Sequence, residues 1–418
     1  MLVDIKIWGH SMARLVVFGG EKLSGEIEVS GSKNAALPII FSCITVYGVS
    51  RLDGVPDILD VRIALRILQC FGAVVTVEGN SILIDTRCLT YTPLPRDLTS
   101  ALRASTYLIG ACLVRFGRAD LTAFGGCALG SRPIDMHISC AESFGASLCD
   151  CALLCNSLSP ADIHFKKISV GATVNALILA ASTDGESRIY GFAKEPHVFS
   201  LIDFLRSAGA DITVCETFIR VYGKRLHGAD AVIIPDMIEA GTYLSLSLAS
   251  SSDITVVGAN PDELTSFLSF FKENGADVDI GSGFIRAKGE LLRFAHLVTA
   301  PYPGFPTDLH PQCAPMLSRF SGGRIIEGVW RERFSYLSEL SHFGLVSEAF
   351  DGGAVIYPSL LHCANAKCTD LRGGAALLIS ALMTKGESVI DNAELLFRGY
   401  ADIVKKLSRI GARIYEAD

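Results

Sequence analysis

Two signals alternate along the chain. An amphipathic stretch of helical period ends in Phe-Gly-Ala or a close variant, and a short segment of alternating apolar and polar residues follows. The helical stretches span residues 65–72, 141–145, 201–209, 263–275, 337–344 and 403–411, so their terminal glycines lie 73, 64, 66, 69 and 67 residues apart. Each glycine falls where a helix end needs a left-handed backbone, which only Gly adopts without a Cβ penalty. Residues such as Ala73-Val74-Val75-Thr76-Val77 and Ala210-Asp211-Ile212-Thr213-Val214 then read as half-buried strands. Ahead of each helix an apolar strand runs into a Gly- or Asn-containing turn, at 50–55, 119–125, 187–191, 253–258, 324–328 and 388–392. Helix-Gly-strand patterns occur throughout α/β proteins, but a period of about 67 residues exceeds solenoid and propeller units. Six such units suit two globular domains of three units each, built as α/β layers. The length of 418 residues also exceeds what one core usually supports.

Composition narrows the function classes. Half the residues are apolar and 19% are charged, a compact globular balance. The longest charge-free stretches, 34–50 and 168–183, contain Asn, Ser, Thr, Gly or Pro and fall short of about 18 continuous apolar residues, so no membrane span is expected. The N-terminus lacks the basic, apolar and small-residue succession of an export signal. Thirteen scattered cysteines, an odd number, suggest reduced thiols in a cytoplasmic protein. No Cys-x-x-Cys or His-Glu-x-x-His motif is present, so no metal site is expected. A net charge of −7 without basic clusters argues against nucleic acid. Locally converging basic residues would still suit a small anion. Oligomeric state is not readable.

Three segments and a set of arginines stand out. In Ser30-Gly31-Ser32-Lys33-Asn34-Ala35, a lysine after a small turn and before an apolar helix suits a phosphate met by backbone N–H groups. It is not a Walker A loop, and a solvated lysine fits equally well. In the segment from Gly125 to Asp135, three glycines within six residues imply a mobile loop, and Arg132 would depress the pKa of the Cys127 thiol. A structural cysteine is an even alternative. In Tyr302-Pro303-Gly304-Phe305-Pro306-Thr307-Asp308, prolines and a glycine would aim Asp308 as a general base, or as a loop carboxylate bonding its own backbone. Arg103, Arg333, Arg372 and Arg398 sit in or beside turns. If they converge, they suit a doubly anionic substrate; singly, each reads as a solvated charge.

Taken in order, the strings SGSKNAALP, LRAS, GGCALGSRPIDMH, SVGAT, PYPGFPTDLH, RERF, TDLR and FRGY resemble the UDP-N-acetylglucosamine 1-carboxyvinyltransferase family across nearly the whole chain. The resemblance implies two inside-out α/β barrel domains of three repeats each, with the active site in the interdomain cleft. The domains would be 33–234, and 1–32 together with 235–418. It also implies transfer of the enolpyruvyl group of phosphoenolpyruvate to the sugar 3-hydroxyl, early in peptidoglycan synthesis, with no metal or organic cofactor. Lys33, Arg398 and Arg132 would hold phosphoenolpyruvate. Asn34, Arg103, Arg132, Pro133, Ile134, Asp135, Met136, Ser169, Val170, Gly171, Asp308 and Val329 would contact the UDP-sugar, with Arg333 and Arg372 adding charge. Cys127 would be the proton donor and the target of fosfomycin, and Asp308 would accept or orient the hydroxyl proton.

The chain departs from the family pattern at several points. Asp236-Met237-Ile238 stands where Asp-Arg-Ile is usual, and Lys194-Glu195-Pro196-His197 where Arg-Glu-Pro-Glu is usual. Trp330-Arg331-Glu332-Arg333 replaces Phe-Glu-Asn-Arg, and His310 replaces a glutamine. These bear on rate and domain coupling more than on reaction type. The family-like sequence starts near Arg14, so residues 1–11 read as an extension ahead of Met12. Two rivals share the features: the shikimate-pathway carboxyvinyltransferase, which lacks the thiol loop, and a catalytically silent relative that binds UDP-sugar and regulates a partner.

Overall fold

A computed structural model describes residues 13–121 and 134–417. They form two compact units, one from residues 31–121 and 134–234, the other from 13–30 and 235–417. The helices that organise the first unit are α1 (Lys33–Ser42), α2 (Leu59–Cys70), α3 (Leu108–Phe116), α4 (Asp135–Ser143), α5 (Val170–Ser182) and α6 (Pro196–Ser207). In the second unit they are α7 (Met237–Ala249), α8 (Thr265–Glu273), α9 (His310–Arg319), α10 (Tyr336–Ser341), α11 (Leu371–Met383) and α12 (Ile403–Arg409).

The odd-numbered helices are buried along most of their length, and α5, α7 and α11 are apolar around most of their circumference. Ala172 to Ala181 of α5, Ile238 to Ala249 of α7 and Leu371 to Leu382 of α11 are buried without interruption. A helix with no polar face must sit inside a core. In the second unit α7, α9 and α11 pack pairwise against one another, and in the first α3 packs against both α1 and α5. The two charge-free stretches of the sequence are therefore central helices. Among the described residues no helix is long and apolar enough to cross a membrane.

Sheets cover these helices. In the first unit Val49–Asp53 pairs in parallel with Ala231–Val232 and antiparallel with Ser81–Asp85, which pairs with Val74–Glu78. The same order, one parallel and two antiparallel pairings, recurs around Gly185–Tyr190, Asp253–Val257, Gly323–Ile326 and Gly386–Asp391. The strands alternate as half-buried strands should: Ile219 and Val221 face inward while Arg220 and Tyr222 face out. Each unit is thus an inside-out α/β barrel of three repeats, helices central and sheets outside. The N-terminal residues belong to the second unit. Ser24–Glu28 adds in parallel to Asp253–Val257, and Arg14–Gly19 lies between Gly386–Asp391 and Arg413–Ala417.

The six repeat glycines explain how each even-numbered helix stops. Gly72, Gly145, Gly209, Gly275, Gly344 and Gly411 have φ of 97°, 98°, 117°, 106°, 85° and 102°. In every case the next residue donates its N–H to the carbonyl five residues earlier: Ala73 to Leu68, Ala146 to Ala141, Ala210 to Leu205, Ala276 to Phe271, Leu345 to Leu340 and Ala412 to Leu407. The glycine itself bonds three residues back, as Gly72 does to Gln69. This is a Schellman closure used six times, turning the chain from helix into hairpin. At Gly411 nothing lies within 4 Å of where a Cβ would stand, so only the backbone requires glycine there. We expect Gly411→Ala to lower unfolding free energy by about 1–2 kcal/mol in urea titrations, with an unchanged m-value.

Candidate active site

In the second unit the chain brings one carboxylate and two guanidinium groups together. Asp308 ends the Pro-Gly-Phe-Pro-Thr loop just before α9. Its Oδ1 accepts from Arg333 Nη1 at 2.6 Å, and its Oδ2 accepts from Arg372 Nη2 and Nε at 3.0 and 3.2 Å. Arg333 comes from the turn after Gly323–Ile326. Arg372 sits in the first turn of α11, where Asp370 caps the backbone N–H groups of Arg372 and Gly373. Both arginines are almost wholly buried, and Asp308 is partly exposed, with side-chain exposures of 4%, 3% and 26%. Arg333 Nε and Arg372 Nη1 are buried and have no hydrogen-bond partner among the described residues. Buried charge needs partners. Two guanidinium groups thus converge on one partly exposed carboxylate. Burial pushes Arg372 down, but Asp308, then Tyr400 and Asp236, outweigh it, so the net shift is upward. The guanidinium stays charged.

Glu327 holds this cluster from behind. Its Oε1 accepts from Thr299 Oγ1 at 2.7 Å and from the N–H groups of Val329 and Trp330 at 2.7 and 2.9 Å. Its Oε2 accepts from Thr307 Oγ1 at 2.9 Å, and Thr307 Oγ1 in turn accepts from Arg333 Nη1 at 3.1 Å. Glu327 thereby positions Thr307, Arg333 and, through them, Asp308. His310 Nε2 lies 3.1 Å from Glu327 Oε2, and its Nδ1 is 3.2 Å from Tyr336 Oη. Burial opposes ionisation of Glu327, yet His310, Thr299 and the Trp330 N–H outweigh it and bring the carboxyl to about 2. Burial drives His310 down, with Glu327 opposing in part, so the imidazole is neutral. The replacement of a glutamine by His310 thus keeps an uncharged polar group against Glu327. Arg398 ends the 3-10 turn Ala393–Arg398, two residues before Tyr400, whose ring lies 5.6 Å from the Arg372 guanidinium.

The first unit builds its own cluster at helix N-termini. Ser32 caps α1, and Lys33 and Asn34 are the first helical residues. Lys33 Nζ lies 3.3 Å from Oδ2 of the buried Asp60. A Cβ at Gly31 would stand 1.9 Å from the Gly54 carbonyl, so only glycine lets this turn close. Arg103 opens the 3-10 turn Arg103–Tyr107, where burial depresses its pKa. Ser169 caps α5 with its hydroxyl accepting from Ala172, leaving Val170 and Gly171 in the first turn. His137, on α4 just after Ile134, Asp135 and Met136, packs where a Gly171 side chain would stand: a Cβ there would be 2.8 Å from its Cε1. The ring thereby joins the starts of α4 and α5, and Arg103 is close enough to disfavour its protonation. Cys127, Arg132 and Pro133 lie outside the described residues, as do residues 1–11 and the end of the strand expected at 119–125.

Glu327, Thr307, Asp60, His137 and Asn175 escape a reading of the sequence for chemistry. The available hint is their place inside or beside otherwise apolar or motif-bearing segments, as with Asn175 in the middle of α5.

Three comparisons place this architecture among known proteins. The family profile of EPSP synthase (3-phosphoshikimate 1-carboxyvinyltransferase) matches residues 17–407. UDP-N-acetylglucosamine 1-carboxyvinyltransferase 2 of Streptococcus mutans is 38% identical over 416 residues, covering 96% of this chain and 99% of that protein. The enzyme of the same name from Staphylococcus aureus is 36% identical over 95% of this chain and 97% of its own length. The enolpyruvyl transferase NikO from Streptomyces tendae superposes with a TM-score of 0.85 at 26% identity, covering 97% of this chain and 99% of NikO. With its two three-repeat barrels, its paired clusters of basic residues and this agreement over nearly its full length, the chain belongs to the UDP-N-acetylglucosamine 1-carboxyvinyltransferase family of enolpyruvyl transferases.

Proposed function

We propose that the protein transfers the enolpyruvyl group of phosphoenolpyruvate to the 3-hydroxyl of UDP-N-acetylglucosamine, releasing phosphate, as the committed step of peptidoglycan synthesis in the cytoplasm. The observation that carries this reading is the Asp308 cluster. One partly exposed carboxylate acceptor is held between two buried guanidinium groups, as an alcohol acceptor beside an anionic donor requires.

The chemistry assigns the roles. Protonation of the methylene carbon of phosphoenolpyruvate creates an oxocarbenium-like centre, which the sugar hydroxyl attacks. The tetrahedral adduct then loses a proton and phosphate. Cys127 supplies the first proton. Asp308, oriented by Arg333 and Arg372, accepts the hydrogen bond of the sugar hydroxyl and draws its proton as the C–O bond forms. Lys33, Arg132 and Arg398 neutralise the phosphate and carboxylate of the donor. Asn34, Arg103, the segment from Arg132 to Met136, Ser169, Val170, Gly171 and Val329 take the UDP-sugar. The start of α5 offers the N–H groups and positive dipole end that a diphosphate seeks.

Phosphate release with both substrates tests the reading; shikimate 3-phosphate in place of the UDP-sugar should release none, and background turnover with the UDP-sugar would sink it. Cys127→Asp should keep transfer activity and escape fosfomycin inactivation, because a carboxylic acid donates a proton but resists alkylation. Inactivation of that variant by fosfomycin would displace Cys127 from its role. Glu327→Gln should fold normally yet lower kcat/KM by about 10- to 100-fold, because Thr307 and Arg333 lose their anchor.

The same groups set an acid limit. His137 has its pKa lowered from 6.5 to about 4 by burial, with repulsion from Arg103 adding to it. The fold keeps it neutral while the unfolded chain protonates. Its contribution to stability is complete above 6.5 and is lost as pH falls toward 4. Glu327, lowered from 4.5 to about 2, contributes stability that is complete above 4.5 and is lost as pH falls toward 2. Unfolding free energies from urea titrations should therefore fall between about pH 7 and about pH 4, by on the order of 2–3 kcal/mol. His137→Asn should flatten the upper part of that slope.

A further inference from the structure

Asn175 is the one amide inside the apolar α5, and it is fully buried. Its orientation follows from two backbone groups. The N–H of Gly110 donates to Oδ1 at 2.7 Å, and the carbonyl of Thr106 accepts from Nδ2 at 3.0 Å. Turning the amide over would set N–H against N–H and oxygen against oxygen, so the oxygen can only face Gly110. Gly110 itself cannot carry a side chain, because a Cβ would stand 2.9 Å from Asn175 Oδ1.

That orientation points a second Nδ2 hydrogen at His137 Nδ1, 2.8 Å away, with the Gly171 carbonyl a longer partner at 3.3 Å. A donor this close requires a lone pair on Nδ1. The proton of the neutral ring must then be on Nε2, and an imidazolium would bring two N–H groups together. We infer that Asn175 is a positioning residue that holds His137 as the neutral Nε2–H tautomer, presenting one fixed, uncharged donor beside the first turn of α5. The charged and titratable groups around the ring agree. Arg103 opposes a positive charge there, Asp135 on the same helix favours one, and Tyr107 beside Gly171 stays protonated, with burial pushing it up to about 12. His137 is 5% exposed, and its Nε2 has no hydrogen-bond partner among the described residues. The donor is therefore available to a ligand at the start of α5, 3.1 Å from where a Gly171 Cβ would stand.

This deepens the function proposed above: the assignment of that ligand as the diphosphate of the UDP-sugar rests on that reading, whereas the tautomer does not. An uncharged donor adds a hydrogen bond to the diphosphate without adding a charge that titrates in the physiological range. Affinity at this point then stays level where an ordinary histidine would make it vary with pH.

Long-range proton–nitrogen spectra of the full chain with nitrogen-15 histidine read the tautomer directly, with His137→Gln identifying the signal. The expected result is a bare Nδ1 and a protonated Nε2, unchanged from about pH 8 to about pH 5.5. A proton on Nδ1 in the unsubstituted protein, or titration within that range, would overturn the inference even if no variant folds. Asn175→Asp replaces the donor with an acceptor, so Nδ1 should gain a proton and the ring should titrate in that range. The KM for UDP-N-acetylglucosamine should then fall about tenfold from pH 8 to pH 6 while kcat changes less than about twofold. A pH-independent KM in a folded Asn175→Asp protein whose ring titrates would remove the diphosphate from this donor. Absence of any phosphate release by the unsubstituted protein would fault the reaction and leave the tautomer standing.

Discussion

Two guanidinium groups buried against a single carboxylate are the constraint on which the second unit's site depends. Removing an ion from water costs several kcal/mol even after relaxation, so a pair of buried cations survives only if the groups that offset them are held in place. Glu327 does that fixing. It gathers a threonine from each side and two backbone N–H groups, and through Thr307 it reaches Arg333. The ionised Glu327 behind Arg333 and Asp308 in front together offset the two guanidinium charges. In the proposed reaction this cluster would be in place before the substrates arrive, the condition under which charge contributes most to catalysis.

In the proposed reading the first unit would meet anions by different means. Its residues cluster at the starts of α1, α4 and α5, where helix N–H groups supply partial charge, and the one imidazole among them is kept neutral by an amide that has no alternative orientation. Where charge is used there, as at Lys33, it is placed beside a buried carboxylate, Asp60.

Both arrangements rest on a scaffold that repeats one solution six times. A left-handed glycine closes each outer helix and starts each hairpin, and the inner helices are free to be apolar on all sides because sheets cover them. Functional residues sit at the ends of those inner helices or just before them. Asp308 precedes α9, Arg372 opens α11, Lys33 opens α1 and Ser169 caps α5. Helix starts leave unsatisfied N–H groups, which makes them the natural places to receive an anion.

What the sequence determined alone was everything governed by neighbours a few residues apart. The periodicity of helix and strand, the glycine that ends each outer helix, the division into three and three, and the order of short motifs that mark the family are all of this kind. The sequence marked Arg372 and Asp308 as candidates but gave each a bland alternative, and it was silent on Glu327, His137 and Asn175. Those were decided by the tertiary structure, through bonds between separated elements: Thr299 to Glu327 spans 28 residues, His137 to Asn175 38, Asp308 to Arg372 64 and Gly110 to Asn175 65. No local signal carries such pairings, because they exist only when those elements pack together and bury the groups that must then find each other.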